Sequence, residues 1–187
     1  MALQATVYRF PLQLSHVDRG VYEALDVRMA RHPSETERYL LARLTAYALL
    51  ASPADNAVLA FSKGGLSTPD EPALSIRTLD GRLLCWVEIG NPSADRLHKA
   101  AKAAPRVVVV THANPALLVA EVAGQRVHNA AAVEVYALDP AFLDALAAHI
   151  GDRGRALEMT ISDGELYVTV DGNALTTTLA RVALTSA

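Results

Sequence analysis

The chain has 187 residues, of which 51% are hydrophobic and 20% are charged, and its formal net charge is −3. This length and apolar content predict one folded domain with a sizeable core and argue against a disordered chain. The slightly acidic balance argues against a protein that coats nucleic acid through bulk positive charge. A single cysteine, Cys85, excludes an intramolecular disulfide.

Neither a secretion signal nor a membrane span is visible in the sequence. No charged N-terminal segment is followed by a long apolar run, so we expect no signal peptide. The most apolar stretch, residues 105–124, is interrupted by Arg106, His112, Asn114, Pro115 and Glu121. Such a stretch does not suit a bilayer. We therefore expect a cytoplasmic protein with no membrane partner.

The first part of the chain predicts a β-hairpin followed by a helix. Apolar and polar residues alternate over 3–14 and again over 22–31, with a polar connection between the two segments. Ser34 and Glu37 have the spacing of a capping box. We predict a helix from Ser34 to about Ala51 on this basis.

Three strands, a helix and a fourth strand are predicted next. The strands lie at 57–62, 73–79 and 83–89, and an Asp-Gly turn separates the last two. A helix over 93–104 then precedes a strand over 106–111, whose continuous β-branched run is typical of a strand buried on both faces.

The last part of the chain gives a weaker pattern. It predicts, in order, a weak apolar stretch at 116–123, a strand at 132–138, a helix opened by Asp139-Pro140, and a hairpin of 156–162 with 165–170. The residues that follow Asn173 favour no single structure.

Glu88 has the clearest chemical implication in the sequence. It lies near the end of the strand predicted over 83–89, between Val87 and Ile89. A carboxylate on a buried strand is costly unless it is paired, hydrogen-bonded or bound to a metal ion. An edge strand with Glu88 facing water is the other explanation, and the apolar neighbours argue against it.

Two further acids, Asp70 and Glu71, precede the strand predicted over 73–79. Adjacent acids between prolines most often form only a turn. The predicted hairpin, however, would return Glu88 close to this strand. Two carboxylates that converge make a site for a hard cation such as Mg²⁺ or Mn²⁺.

The remaining charged residues have ordinary explanations when each is taken alone. Glu35, at the first position of the predicted helix, suits the helix dipole. Lys99, on the second predicted helix, suits a solvated face, as do Arg31, Arg43 and Lys63. No zinc-hydrolase motif, Walker A loop or dinucleotide fingerprint occurs, so we expect no nucleotide cofactor.

Several segments resemble the YaeQ family of bacterial proteins. In chain order they are Met1-Ala2-Leu3 with Ala5-Thr6 and Tyr8, the run 30–36, Lys63-Gly64, Leu66-Ser67-Thr68, Asp70-Glu71-Pro72, the run 86–90, Pro92, Lys99-Ala100, and the run 161–166. The likeness follows one order along most of the chain.

The YaeQ family in turn resembles the PD-(D/E)xK nuclease superfamily, which has a restriction-endonuclease-like α/β fold with an αβββαβ core. The resemblance implies such a core over 32–112, an N-terminal β-hairpin over 1–31 and a C-terminal β/α extension over 113–187. All three parts would belong to one domain, 1–187. The order of elements predicted above for 34–111 is the same as that of the core.

The resemblance also implies a variant active site. Asp70 fits the acid before the second core strand, and Glu88 fits the acid on the third. Gly90 stands where the motif has its lysine, and Lys99 would replace it, because some superfamily members carry this lysine on the next helix. Glu35 fits an auxiliary acid. The three acids would hold Mg²⁺ or Mn²⁺, and Lys99 would orient the attacking water or stabilise developing charge.

The implied activity is that of a metal-dependent nuclease or phosphodiesterase with a nucleic acid as its partner. Arg31, Arg43 and Lys63 would contact substrate phosphates. The alternative is a catalytically inactive nuclease-like module that binds nucleic acid or a protein. Convergence of Asp70, Glu88 and Lys99 within one metal-coordination shell distinguishes the first hypothesis from the second. The sequence specifies no oligomeric state.

Overall fold

The computed structural model describes residues 5–53, 56–62 and 71–185. It begins with strands β1 (Thr6–His16) and β2 (Val21–Arg31), which form an antiparallel hairpin across a short 3₁₀ turn. Helix α1 (Glu37–Leu50) follows. The predicted N-terminal hairpin and first helix are therefore present, although the helix begins three residues later than predicted.

The middle of the chain forms the predicted series of three strands, a helix and a strand. The elements are β3 (Ala57–Phe61), β4 (Leu74–Thr78), β5 (Leu83–Ile89), α2 (Ala94–Ala103) and β6 (Arg106–Thr111). Their ends lie close to the predicted ones, because turns and helix caps mark most of these boundaries in the sequence.

The last part of the chain holds more regular structure than its sequence pattern predicts. The elements are α3 (Pro115–Ala123), β7 (Glu134–Ala137), α4 (Pro140–Ile150), β8 (Leu157–Ser162), β9 (Glu165–Val170), β10 (Asn173–Thr178) and β11 (Ala180–Val182). The weak apolar stretch is the helix α3, whose N-cap Asn114 accepts a hydrogen bond from the Ala116 amide at 3.0 Å.

Two sheets organise these strands. One has the order β10-β9-β8-β1-β2, and the other has the order β11-β7-β6-β5-β4-β3. β1 pairs in parallel with β8, so the N-terminal and C-terminal hairpins share a sheet. In the six-stranded sheet, β5, β6 and β7 are parallel and the other pairs are antiparallel.

The helices form two layers around the six-stranded sheet. α1 and α4 lie between the two sheets and share one apolar cluster with the inner faces of both. α2 and α3 cover the other face of the six-stranded sheet in a second cluster. None of the helices among the described residues is long and apolar enough to span a bilayer.

The predicted capping box at the start of α1 is wrong. The N-cap is Thr36, whose Oγ1 accepts a hydrogen bond from the Tyr39 amide at 3.1 Å. Ser34 instead bonds to Nδ1 of His32 at 2.6 Å, within a turn closed by the Glu35 amide and the His32 carbonyl. Glu35 therefore precedes the helix, where it turns inward rather than facing solvent in the first turn.

Candidate functional site

The candidate site lies at one edge of the six-stranded sheet, where several strands begin or end. Gly90 and His112 directly follow the parallel strands β5 and β6. β4 runs antiparallel to β5, with Leu74 opposite Val87, so Glu71 lies at the same edge. Ligands of open α/β sheets commonly bind at the carboxyl ends of parallel strands.

Glu88 is buried in the interior of this sheet. Glu88 is 5% exposed. Its strand, β5, is an interior strand that lies between β4 and β6. Val87 and Ile89 face the cluster around α1, whereas Trp86 belongs to the cluster around α2. Alternation along the strand therefore points Glu88 toward α2. The edge-strand explanation of Glu88 is wrong.

Arg96, in the first turns of α2, contacts Glu88. Its Nε donates to Glu88 Oε1 at 2.8 Å, and the Trp86 indole Nε1 donates to the same oxygen. A second guanidinium nitrogen of Arg96 donates to the Glu71 carbonyl at 2.8 Å. One guanidinium thus joins the buried carboxylate on β5 to the segment that precedes β4, through charge-assisted hydrogen bonds.

No motif in the sequence identifies Arg96, and the resemblance places Lys99 in this neighbourhood. The two residues are three positions apart on α2, so they share a helix face. Lys99 is exposed in the structure. The signal that could have found Arg96 is its position one turn nearer the start of the helix, which immediately follows β5.

Glu35 is the second buried carboxylate, and it is 3% exposed. Arg43 donates to its Oε2 at 2.8 Å and to the Ala30 carbonyl at 2.7 Å. Burial raises the pKa of Glu35, while the charge of Arg43 acts in the opposite direction. Arg31 supports the same segment by donating to the Glu35 carbonyl at 3.0 Å.

Two of the arginines assigned to substrate phosphates have acidic partners within the protein. Arg43 is 4% exposed, and its guanidinium faces Glu35 rather than the surface. Arg31 is half-buried and also contacts Glu37 at 3.4 Å. Lys63, the third basic residue of that set, lies outside the described residues.

Tyr39 of α1 lies within electrostatic reach of both ion pairs. Burial raises the pKa of its phenol to about 12, and the charges of Arg43, Glu35, Glu88 and Arg96 modify it. The Arg43 guanidinium lies 5.6 Å from the centre of the Tyr39 ring. The phenol is therefore neutral near pH 7 and can serve as a hydrogen-bond donor.

His112 adds an imidazole to this edge. Its ring meets the ring of Tyr39 edge to face, with 6.3 Å between the centroids. Burial lowers the pKa of His112, as does the charge of Arg38. Its Nδ1 is buried without a hydrogen-bond partner among the described residues. Neither Tyr39 nor His112 has a motif in the sequence that identifies it.

Gly90, which stands where the superfamily motif has lysine, has a backbone φ of +86°. Residues with a Cβ atom rarely adopt this conformation, whereas glycine adopts it readily. Space is not the obstacle, because the nearest atom to an added Cβ is His112 Cε1 at 3.9 Å. The local backbone therefore favours a glycine over a lysine at position 90, two residues after Glu88.

An open depression of about 350 Å³ lies on the same sheet face as Glu88. Ser75 of β4, which lines it, pairs with Trp86, and Ala60 of β3 pairs with Ser75. Directly paired residues point to the same side of a sheet, so this lining shares the side of Trp86 and Glu88. Arg77 contributes a positive charge to the depression.

The metal-binding prediction depends on a residue that the structure does not describe. Asp70 lies outside the described residues. Within the part of the chain that is described, no three His, Cys, Asp or Glu side chains are grouped so as to hold a metal ion. The set of Asp70, Glu88 and Glu35 therefore stays a prediction.

Comparison with known proteins gives one consistent result. The model of the YaeQ protein family matches residues 1–179. The uncharacterized protein YaeQ of Escherichia coli strain K12 is 31% identical over 176 residues, which are 94% of each chain. The uncharacterized YaeQ of Salmonella typhi is 30% identical over 179 residues, with the same coverage of each chain.

Solved structures agree with the sequence comparisons. The crystal structure of the YaeQ protein from Pseudomonas syringae superposes with a TM-score of 0.83 at 34% identity, covering 96% of each chain. The YaeQ protein from Xanthomonas axonopodis pv. citri gives a TM-score of 0.80 at 32% identity, covering 97% of this chain and 99% of its own. These comparisons confirm the resemblance to YaeQ proteins, and the chain belongs to the YaeQ family.

Proposed function

We propose that this protein is a metal-dependent nuclease or phosphodiesterase of the PD-(D/E)xK type with a variant active site. The observation that carries the proposal is the buried Glu88 on a central strand, linked by Arg96 to the carbonyl of Glu71. Glu71 directly follows Asp70 in the chain. A carboxylate kept at such a cost in a sheet interior, beside an open depression, is typical of a functional site.

The order and pairing of the elements support the proposal. α1, β3, β4, β5, α2 and β6 follow the αβββαβ order of a restriction-endonuclease-like core. β3, β4 and β5 pair antiparallel in sequence, and β5 pairs parallel with β6. In such a core, the acids of the motif would stand before the second strand and on the third, where this chain has Asp70 and Glu88.

Cleavage of a phosphodiester creates negative charge on the nonbridging and leaving oxygens. Asp70 and Glu88, with Glu35 as an auxiliary acid, would hold Mg²⁺ or Mn²⁺, which supplies a Lewis acid for the phosphate and an acidified water. Arg96 holds Glu88 in place and adds positive charge beside it. Lys99, on the same face of α2, would stabilise the developing anion.

The depression on β3 and β4 is the surface on which we expect the nucleic acid backbone to lie. It opens on the face that carries Glu88, and Arg77 is one of its lining residues. Contacts of this kind with phosphates release counterions, so binding would weaken as salt increases. Arg31 and Lys63 stay candidates for further phosphate contacts.

A second function, that of an inactive binding module, is favoured by one observation. The guanidinium of Arg96 lies 2.8 Å from Glu88 and compensates the charge of this buried carboxylate. A carboxylate satisfied in this way has a purely structural explanation. The module would bind nucleic acid or a protein through the same face and would not cleave.

A cleavage assay with single- and double-stranded DNA and RNA, in Mg²⁺ or Mn²⁺, separates the two functions. We expect wild type to cleave, and Glu88→Gln to lose about 100-fold or more of the rate, because a metal ligand is removed. Glu158→Gln, an exposed acid on β8, is the matched control and should cleave like wild type.

The other outcomes are equally informative. Equal cleavage by wild type and Glu88→Gln would trace the activity to a contaminant and contradict the proposal. If no variant cleaves in any metal, and the protein still binds nucleic acid with a steep salt dependence, the inactive module is favoured. Circular dichroism of Glu88→Gln checks that the substitution has left the fold intact.

A further inference from the structure

A second cavity, of about 300 Å³, lies where the two sheets meet at the C-terminal end of α1. We call it the arginine cavity, because Arg19, Arg106 and Arg181 line it together with His16. We propose that the arginine cavity binds a small organic anion, with a carboxylate or phosphate head group held by the arginines and an apolar body held by the opposite wall.

The three arginines carry more positive charge than their acidic neighbours neutralise. Arg106 and Arg181 share one carboxylate, Glu134, at 2.6 Å and 3.3 Å. Asp18 also lines the cavity, and one of its oxygens accepts the Asp163 amide at 3.0 Å. Three guanidinium groups thus face two carboxylates, which leaves a net positive charge to attract an anion.

Arg19 is held by neutral groups. Its guanidinium donates to the carbonyls of Leu49 at 2.9 Å, Ala51 at 2.8 Å and Ser52 at 3.0 Å. These carbonyls lie in the last turn of α1, at its C-cap and just beyond it, so Arg19 caps the helix and its position is fixed. Burial lowers the pKa of Arg19, and the positive charge of Arg106 lowers it further. An anion placed between these two arginines would relieve their repulsion.

His16 is the second, independent indication of a ligand. The residue is 6% exposed, and its ring lines the cavity. Its Nδ1 has no hydrogen-bond partner within the described residues. A buried polar atom without a partner costs about 1–3 kcal/mol, so such atoms often mark a place for a ligand or an ordered water.

The cavity also has an apolar wall, which excludes a bare inorganic ion as its best ligand. Leu49, Ile161 and Leu179 line it. The Arg181 guanidinium stacks 4.3 Å from the centre of the Tyr136 ring, which adds a flat surface. A volume of about 300 Å³ lies at the small end of ligand pockets. A compact organic anion would cover this wall and pair with the arginines.

This site is separate from the proposed nuclease site. Val107 and Val109 of β6 face the α2 side, on which Glu88 lies, so Arg106 at the start of β6 projects to the side between the sheets. Glu88 of β5 pairs with Val109, which lies nearer the end of β6. Glu88 and the arginine cavity thus lie on opposite faces of the six-stranded sheet and toward opposite ends of its parallel strands.

Titration of ¹⁵N-labelled protein with phenyl phosphate and with benzoate, followed by NMR, tests the proposal. Both anions should shift the amides near His16, Gly164 and Leu179, which surround the cavity. Phenol, which lacks the charge, and inorganic phosphate, which lacks the apolar body, should bind more weakly. Absence of binding by both organic anions, or shifts confined to other surfaces, would overturn the proposal.

Matched arginine variants complete the test. Arg181→Gln should lower the affinity for the more tightly bound of the two anions by about tenfold, because a charge-assisted contact is lost. Arg28→Gln, an exposed arginine that pairs with Asp26 on the outer side of the other sheet, should bind like wild type. Equal affinities for the two variants would contradict the proposal. Glu88→Gln should retain the binding, whatever its effect on cleavage.

Discussion

Glu35 and Arg43 form a buried ion pair beside a largely apolar core. Their side chains are 1% and 4% exposed, and 2.8 Å separates Oε2 of Glu35 from the Arg43 nitrogen. Removing both charges from water is costly, and only their mutual contact and added hydrogen bonds offset this cost. Arg43 obtains such a bond from the Ala30 carbonyl. The pair therefore ties the end of β2 to α1.

Removal of one member of this pair should be strongly destabilising. We expect Arg43→Met to lower the free energy of unfolding by about 3–5 kcal/mol, because Glu35 is left buried without its cation. The double variant Glu35→Gln with Arg43→Met should recover part of that loss. Urea unfolding of the three proteins measures both effects. A single variant within error of wild type would show that the pair is not buried in solution.

The same carboxylate gives a pH dependence with a definite sign. Burial raises the pKa of Glu35, so the folded protein takes up a proton at a higher pH than the unfolded chain does. Its contribution to stability is complete below the ordinary pKa and falls as pH rises through the raised value. As pH rises above the ordinary pKa of glutamate, about 4.3, the stability of wild type relative to Glu35→Gln should therefore decrease. A flat or rising difference would contradict this.

At the scale of single elements, the start of α1 shows how two adjacent signals compete. Ser34 and Glu37 match the spacing of a capping box, but Ser34 is engaged with His32 in the preceding turn. Thr36 caps the helix instead. Both residues are hydroxyl-bearing and suit an N-cap, so local preference cannot choose between them. The turn formed by residues 32–35 directs Glu35 toward Arg43, and α1 begins after this turn, at Glu37.

A pair of alanine substitutions distinguishes the two caps. Thr36→Ala should cost about 1 kcal/mol of stability, because the Tyr39 amide loses its acceptor. Ser34→Ala should change stability by less than about 0.5 kcal/mol, since Ser34 is exposed and lies outside the helix. Thermal or urea unfolding provides the comparison. A larger loss of stability in Ser34→Ala than in Thr36→Ala would indicate that Ser34 is the N-cap.

The whole molecule is held together by a core that neither sheet could form alone. One cluster joins the inner faces of both sheets to α1 and α4. α1 is consequently apolar on nearly all sides, with ten of its residues buried. The tail reinforces this arrangement, because β10 pairs with β9 in one sheet and β11 pairs with β7 in the other.

Because the core is shared, both sheets should unfold together. Trp86, the chain's one tryptophan, reports on the six-stranded sheet. We expect its fluorescence and the far-UV circular dichroism to change at one urea midpoint. Leu157→Ala, at a buried position in the other sheet, should lower the free energy of unfolding by about 2–5 kcal/mol and shift both signals to the same lower midpoint. Glu158→Ala, at the exposed neighbouring position, should have little effect. Separate midpoints would indicate two independent units.

The sequence by itself was sufficient for the elements that local chemistry specifies. Turn residues, helix caps and β-branched runs predicted the N-terminal hairpin and the series from α1 to β6, and the quoted segments predicted the family. Glu88 was predictable as a buried carboxylate because its strand is apolar on both sides. α3 and the strands after Asn173 were not predicted as such, since their patterns are weak and their pairing partners lie far away in the chain.

Which distant residues meet depends on the packing of the whole fold. The tertiary structure joined the N-terminal and C-terminal hairpins into one sheet, brought Arg96 to Glu88, and buried Arg43 against Glu35. It also brought three arginines from separate elements to one cavity. Such contacts depend on how faces pack and which charges must be compensated once water is excluded, and no local propensity encodes them.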